Sequence, residues 1–348
     1  MTIGVHCGNE DSQSYSRKWI EKLQKSGIDV LCLNLLMPDA LEKAMKCDGI
    51  MCLWEHTPFD KQSARMILYV IENYLHKPVF PDTATAWHYD EKVAQYYLLS
   101  SLNASMPETW IFWDIEYALK WTDSVQFPVV FKLSSGAGSS NVLKVKNKKH
   151  AIELINKSFR YGIFPYTMNE YKNQTIIPLT TNLMKQTIFR IKDSISYILF
   201  GDFPRLRPTW WKPELGYIYF QEFLNNNQYD TRISIIGNRA FGFRRFNRSE
   251  DFRASGSGNI DYDPAKIDQR CISEAFKLSK LGRFQSMAYD FLFKNDKPVV
   301  CEISYAFADW AVHNCHGFWD DTLTWHETDI WPEDAQVEDF ISFVSNNK

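Results

Sequence analysis

The sequence predicts an α/β fold with α+β character in its second half, and three observations carry that reading. Strand-like and helix-like runs alternate through about residue 85; a glycine- and serine-rich turn separates two short strands near residue 135; and the second half closes on consecutive strands, among them a hairpin bearing two carboxylates. Alternating strands and helices imply a small parallel sheet of doubly wound type. Strands joined by short turns imply an antiparallel sheet.

In the first part, Ile3–Cys7, Asp29–Leu33, Gly49–Leu53 and Pro78–Phe80 have strand character. Tyr15, Trp19, Ile20 and Leu23 mark one helix face between the first two strands; Ala64, Ile67, Leu68, Ile71 and Leu75 mark another before the fourth. The first strand-to-helix turn, Cys7 to Ser12, lacks G-x-G-x-x-G, so nothing there supports a dinucleotide site. A helix rich in Lys and aromatics is expected from His88 to Leu99. Phe127–Leu133 and Asn141–Val145 are expected as strands flanking the turn Ser134–Ser140, with residues 148–160 helical. The stretch from about 161 to 215 is polar and proline-punctuated, with a helix expected around Met184–Phe200. Strands follow at Tyr217–Leu224, Thr231–Ile236 and Arg239–Phe246, then a helix near Ile272–Leu281 and the final hairpin. No internal repeat or low-complexity tract is visible.

At 348 residues, 45% hydrophobic and 23% charged, the chain is long enough for two or three domains with a real core. A net charge of -3 gives no electrostatic case for nucleic acid or an anionic membrane as the main partner. The 12 tryptophans fit large packed cores or a sugar-like substrate and do not separate the two. The seven cysteines show no C-x-x-C spacing; most lie in apolar runs such as Val30–Leu33 and Val299–Cys301, where reduced, buried thiols are expected. The N-terminus lacks a basic start and a long apolar stretch, and no apolar run reaches roughly 18 residues, so no signal peptide or membrane span is expected and the compartment is taken as cytoplasmic.

The chemistry-bearing pair lies near the end. In Ala288–Ser304, a loop at Asn295-Asp296-Lys297 sets Lys294 opposite Pro298 and Asp290 opposite Glu302, both carboxylates on one face about 5 Å apart. Such a pair repels by roughly 3 kcal/mol at an effective dielectric near 20, and apolar neighbours (Phe291, Leu292, Val299, Val300) solvate it poorly. A hard cation turns the repulsion into attraction, since Mg²⁺ takes one or two carboxylates plus phosphate oxygens. The alternative is an ordinary strand pair in the opposite register.

In the glycine turn, Ser135, Gly136 and Gly138 let backbone N–H groups approach phosphate oxygens. No G-K-[ST] follows, and a strand comes where a Walker loop needs a helix, so the turn is either a flap over a triphosphate or a plain hairpin. Lys132, in an apolar run, must reach solvent or meet an anion. Lys92 is the other candidate phosphate cation, or else a solvated helix lysine. Gln221–Leu224 ends an aromatic strand on which an adenine can stack, the backbone of Phe223 and Leu224 serving its edge. Asp230 either accepts from ribose hydroxyls or is a turn residue after Asn225–Gln228. Arg232, Arg244, Arg245, Arg248 and Arg253 form a basic run suited to planar clamping of carboxylate or phosphate; Arg253, ahead of the glycine-rich Ala254–Asn259, is the preferred functional member.

In this order and spacing the segments resemble the ATP-grasp superfamily, particularly the branch similar to ribosomal-protein glutamate ligases. The resemblance rests on Asp90-Glu-Lys92, Pro128–Lys132 with its glycine turn, Gln221–Leu224, Tyr229–Ile233, Asp251–Ala254 and Asp290 … Glu302-Ile-Ser304, and spans roughly residues 80–310. It implies a Rossmann-like pre-ATP-grasp domain over 1–88, a central subdomain with the glycine-rich flap over 89–222, and a C-terminal subdomain with the metal-binding carboxylates and aromatic tail over 223–348. It further implies that Lys92 and Lys132 contact phosphates beneath Ser135, Gly136 and Gly138, and that Glu222, Phe223 and Leu224 hold adenine beside Asp230. Asp290, Glu302 and Ser304 would bind Mg²⁺, with Arg253 and Arg232 steadying an acyl phosphate. Families of this kind usually end Glu-x-Asn, and Ser304 is a poorer ligand than an amide oxygen.

What the resemblance implies is an ADP-forming ligase that takes ATP and Mg²⁺ and joins a small-molecule carboxylate to an amine. The alternatives are a phosphotransferase on the same fold and a nucleotide-binding protein with little turnover. The branch also looks like proteins encoded beside surface-polysaccharide enzymes. In the tail, Trp310 to Glu327, irregularly spaced His and Asp residues suggest either a zinc site or, as expected here, aromatic packing over the active site.

Overall fold

The structure, a computed structural model, describes residues 1–7, 13–54, 57–136, 141–163, 165, 213–248 and 251–346. Gly138, the turn at 8–12 and the helix expected around Met184–Phe200 lie outside the described residues. The chain divides into two compact units, Met1–Thr109 with Leu224–Lys348, and Trp110–Phe223.

In the first unit, β1 (Thr2–His6), β2 (Asp29–Leu33), β3 (Gly49–Met51) and β4 (Val79–Phe80) form an all-parallel sheet in the order β2-β1-β3-β4. Strand order reverses between β1 and β3, as in doubly wound sheets. Helices α1 (Gln13–Lys25), α2 (Ala40–Met45) and α3 (Pro58–Asn73) connect the strands. Trp19 and Leu23 of α1 bury fully against Ile3 and Val5. Thr57 starts α3 by accepting a hydrogen bond from the Asp60 N–H.

Two features here correct the sequence expectation. Cys32, expected as a reduced, buried thiol, forms a disulfide with Cys7 at a Cα–Cα distance of 5.8 Å. The parallel register explains it: Cys7 follows β1 directly, its N–H bonds Leu33 on the neighbouring strand, and Cys32 points outward from edge strand β2. The expected helix from His88 also begins later. Asp90 adopts a left-handed φ of 50°, so α4 (Thr83–Ala86) is a separate turn and α5 runs Lys92–Ser101.

The same unit holds a larger antiparallel sheet built from β9 (Tyr229–Ile236), β10 (Arg239–Phe246), β11 (Ile260–Asp261), β12 (Ser286–Lys294), β13 (Lys297–Ser304), β14 (Gly317–Trp319) and β15 (Trp325–Glu327). Its order is β13-β12-β9-β10-β14-β15, with β11 on β10. Helix α8 (Gln269–Gly282) covers one face, setting Cys271, Ile272, Ala275 and Leu278 against Ile233, Ile235, Tyr289 and Phe291. In the aromatic tail, β14 and β15 form the sheet edge opposite β13, with Trp319 buried opposite Ala240. After α9 (Asp309–His313), helix α10 (Pro332–Asn346) packs Val337, Phe340 and Val344 into the core of the first sheet. A Cβ on Gly49 would meet Phe340 and Val344 at 2.9 Å, so that strand needs glycine for α10 to seat.

The second unit carries the sheet β5-β8-β6-β7: β5 (Thr109–Phe112), β6 (Val129–Lys132), β7 (Val142–Val145) and β8 (Ile218–Glu222). Helices α6 (Ile115–Trp121) and α7 (Lys148–Arg160) bury Ala118, Ala151, Leu154 and Ile155 against Val129, Phe131, Ile218 and Phe220. Among the described residues, no helix is long and apolar enough to cross a membrane.

Candidate active site

The carboxylate pair forms, by a route that differs from the one expected. The loop has two residues, Asn295 and Asp296, both with left-handed φ (50° and 58°), and Lys294 pairs with Lys297 rather than Pro298. A two-residue turn alone carries the register to Asp290 opposite Cys301, which would throw Glu302 onto the other face. A β-bulge between Asp290 and Phe291 absorbs Cys301, and Asp290 pairs with Glu302.

From that pair a row of charge crosses the sheet. Asp290 is 5% exposed; Arg232, its cross-strand partner on β9, donates Nε–H and Nη2–H to its two oxygens at 2.7 Å each. Arg245 on β10 adds a contact to Asp290 Oδ2 at 2.8 Å while forking onto Asp230 at 2.7 and 2.7 Å. Burial opposes ionisation of Asp290, and the Arg232 and Arg245 guanidiniums more than offset it, holding the carboxyl well below the usual carboxylate range. Asp290 is therefore an anion. Two aspartates stand against two arginines at low exposure; burial pushes the Asp230 carboxyl up, with Arg245 opposing that shift and Asp290 adding to it.

Glu302 completes the row. Its Oε1 lies 3.3 Å from Nζ of Lys92, the first residue of α5, and its side chain is about a third exposed. Lys92 is buried, not a solvated helix lysine. Of roughly four lone-pair sites on Asp290, the arginines take three, leaving one on Oδ1. This corrects the expected uncompensated pair: the arginines balance Asp290 and Lys92 pairs with Glu302, so the row offers a hard cation one remaining site on Asp290 and an accessible Glu302 without excess negative charge. Among the described residues no cluster of three or more His, Cys, Asp or Glu side chains is set for a metal. Ser304, two residues along the same strand face, donates its hydroxyl hydrogen to the Ala306 carbonyl at 2.7 Å, which leaves its oxygen as an acceptor.

The remaining predicted residues of this unit are placed differently. Asp230 is 7% exposed and engaged by Arg245. Arg232 serves Asp290. Arg253 is forked onto Asp251, two residues earlier, by Nε at 2.8 Å and Nη2 at 2.6 Å.

In the second unit, Lys132 ends β6 buried, opposite Val142 and Tyr219, with its Nζ 6.0 Å from the Tyr219 ring centre. The turn that follows already holds an anion. Glu214 accepts from the Ser134 N–H at 2.8 Å, from the Ser135 N–H at 3.1 Å, and from the hydroxyls of Ser135 and Tyr217. Gly136 takes a φ of 113°, a backbone that side chains rarely adopt. Glu222 closes β8 opposite Val129, and the Lys144 ammonium lies 3.7 Å over the Phe223 ring. Leu224 begins the return to the first unit.

Sequence reasoning missed Arg245 as the lock on both aspartates and Glu214 as the partner of the turn amides. Arg245 had a usable signal, lying in the basic run; Glu214 had none, sitting in a polar stretch of no periodicity.

The architecture is the ATP-grasp fold. An ATP-grasp protein of the RimK domain type from Sphaerobacter thermophilus matches over 98% of this chain and 100% of its own, with a TM-score of 0.54 at 14% identity. The D-alanine–D-alanine ligase of Bacillus anthracis, solved with ATP, matches over 100% and 99% with a TM-score of 0.59 at 13% identity. The ATP-grasp ligase PsnB, solved with a minimal precursor, Mg and ADP, matches over 99% and 98% with a TM-score of 0.56 at 10% identity. No protein-family model matches the chain, and no curated protein matches its sequence.

Proposed function

We propose that the chain is an ATP-dependent carboxylate–amine ligase. The observation that carries the proposal is Asp290, held by Arg232 and Arg245 and paired with Glu302, with Lys92 at Glu302, set within an ATP-grasp fold. The solved ligases with this fold that carry ATP, or Mg and ADP, support the nucleotide and the metal.

In this reading a substrate carboxylate oxygen attacks the γ-phosphorus of ATP, the bond to the β,γ-bridging oxygen breaks, and ADP leaves. An amine nitrogen then attacks the acyl carbon, phosphate departs with the electron pair, and the nitrogen loses a proton. The chain's work is positioning and electrostatics, with no side-chain nucleophile. Asp290 and Glu302, with Ser304 beside them, are assigned to Mg²⁺, which when bound neutralises charge developing on phosphate oxygens. Arg232 and Arg245 fix the direction of Asp290. Lys92 is assigned to phosphate oxygens in the first unit; Lys132 and the amides of Ser135, Gly136 and Gly138 are assigned to them in the second. Glu222, Phe223 and Leu224 are assigned to adenine and Asp230 to the ribose side. Arg253 is assigned to the acyl phosphate, a role that requires it to leave Asp251.

The test is ADP release across a panel of carboxylates, each with and without amines, with Glu302→Gln as the dead control. Release that requires both a carboxylate and an amine, and that the control abolishes, supports the ligase. Release to a hydroxyl acceptor without amine would establish a phosphotransferase instead. ATP-dependent thermal stabilisation with no release from any acceptor would establish nucleotide binding alone.

A further inference from the structure

A cavity of about 360 Å³ lies in the first unit where α3, α4 and α5 meet the residue that follows β13 and Ser304. Its size falls in the range of roughly 300–1,000 Å³ typical of small-molecule sites. It is built from a helix face, not left by loose packing: Lys61, Ala64, Arg65, Leu68 and Tyr69 recur at the spacing of one stripe of α3. Three alanines on three helices, Ala64, Ala86 and Ala94, open the space. Trp54, Tyr89 and Tyr305, each at most 5% exposed, make an aromatic floor. Trp54 stands just past the carboxyl end of β3, beside the point where strand order reverses, and open α/β sheets bind ligands there.

The charged residues of the lining are Lys61, Arg65 and Glu91, and of these Arg65 and Glu91 are the more exposed. Arg65 donates Nε–H to the Trp87 carbonyl at 2.9 Å, and its Nη2 reaches Glu91 at 3.5 Å, longer than a good charge-assisted hydrogen bond. Glu91 also lies 3.3 Å from the buried Lys61, which is held in turn by Asp90 at 3.1 Å. A guanidinium with donors to spare and a carboxylate beside it, over an aromatic floor, match a carboxylate and an ammonium on an apolar body.

We propose that this cavity binds a free α-amino acid with a large apolar or aromatic side chain. Its carboxylate sits on Arg65, its ammonium at Glu91, and its side chain on Trp54, Tyr89 and Tyr305. On the ligase reading above, this amino acid is the amine substrate; the binding itself does not depend on that reading.

Calorimetric titration of the full chain tests the site with L-phenylalanine, L-tyrosine, L-leucine and L-methionine. Phenethylamine, 3-phenylpropionate and L-alanine are the comparison ligands. At least one of the four large amino acids should bind, at least tenfold tighter than all three comparison ligands. Arg65→Gln, at a partly exposed position, should weaken that amino acid at least tenfold while leaving phenethylamine unchanged. Ala94→Phe should abolish binding of all probes; circular dichroism confirms that each variant is folded. Failure of all four to bind, or binding that both variants leave untouched, overturns the site. ADP release that never uses a large amino acid, despite its binding, leaves the cavity standing and removes it from the ligase reaction. Amino-acid binding in a protein that releases no ADP with any acceptor sinks the ligase reading and keeps the site.

Discussion

Asp290 and Glu302 face each other, yet their removal has different consequences. Glu302 is about a third exposed, with the buried Lys92 as its charged partner at 3.3 Å, so Glu302→Gln should abolish ADP formation and lower the urea midpoint less than Asp290→Asn does, its cost coming from one buried ammonium rather than two guanidiniums. Asp290 neutralises two guanidiniums at 5% exposure, so Asp290→Asn should also destabilise the fold by about 3–5 kcal/mol, because it leaves buried cations undercompensated. Urea denaturation of the two variants separates the roles; equal stability of both with the parent would show that the arginine lock contributes nothing. The sequence pointed to the hairpin and its two acidic residues, but alternation from the actual turn would set Asp290 opposite Cys301, and the expected pairing holds only because a bulge restores it. The lock was not legible, because register across β9, β10 and β12 pairs Arg232 with Asp290 and Arg245 with Asp230, and nothing near those residues in sequence names the partner.

At the scale of elements, the β12–β13 hairpin shows how two local departures cancel. The turn is one residue shorter than expected and Cys301 bulges, so Asp290 still meets Glu302, although Phe291, Leu292 and Phe293 each pair one residue away from their expected partners. Asp296 holds φ at 58° in a turn that prefers Asn-Gly, and its side chain is 91% exposed with only a 3.5 Å contact to Arg270. Asp296→Gly should therefore stabilise by up to about 1 kcal/mol, read from the urea midpoint, since the exposed ion pair contributes little. A decrease in stability would mean that the Arg270 contact outweighs backbone strain. The disulfide acts on the first sheet in a similar way: it joins β1 to β2 across 25 residues of sequence, and Cys32→Ser should cost about 2–4 kcal/mol, measured under oxidising conditions. Apolar flanks suggested a buried thiol at Cys32, because they do not reveal that β2 is an edge strand.

Across the whole first unit, the chain's last helix closes the sheet its first residues begin. Trp19 of α1 donates to Gln336 of α10 at 2.9 Å, and Lys18 lies 2.5 Å from Asp309 and 3.2 Å from Glu333. That closure is illegible locally, since α10 follows the other sheet in sequence and its apolar residues carry no mark of the core they enter. It also places Glu333 at 1% side-chain exposure, where burial pushes its carboxyl up to about 8 from an ordinary value of 4.5, the neighbouring Asp309 adding to the shift and Lys18 opposing it. The folded state therefore holds a proton that the unfolded chain gives up above pH 4.5. The stability this contributes is complete below about 4.5 and is lost progressively as pH rises from there through about 8, a total on the order of 5 kcal/mol. On the acid side the buried His88 ring, lowered to about 4 by burial, acts oppositely, stability falling as pH drops through the ordinary histidine range, so the test belongs between pH 6.5 and 8.5. In that window the thermal midpoint of the parent should fall by several degrees. Glu333→Gln, neutral at every pH, should flatten the decline and melt above the parent at pH 8.5, and a variant that keeps the parent's slope would place the proton on another group.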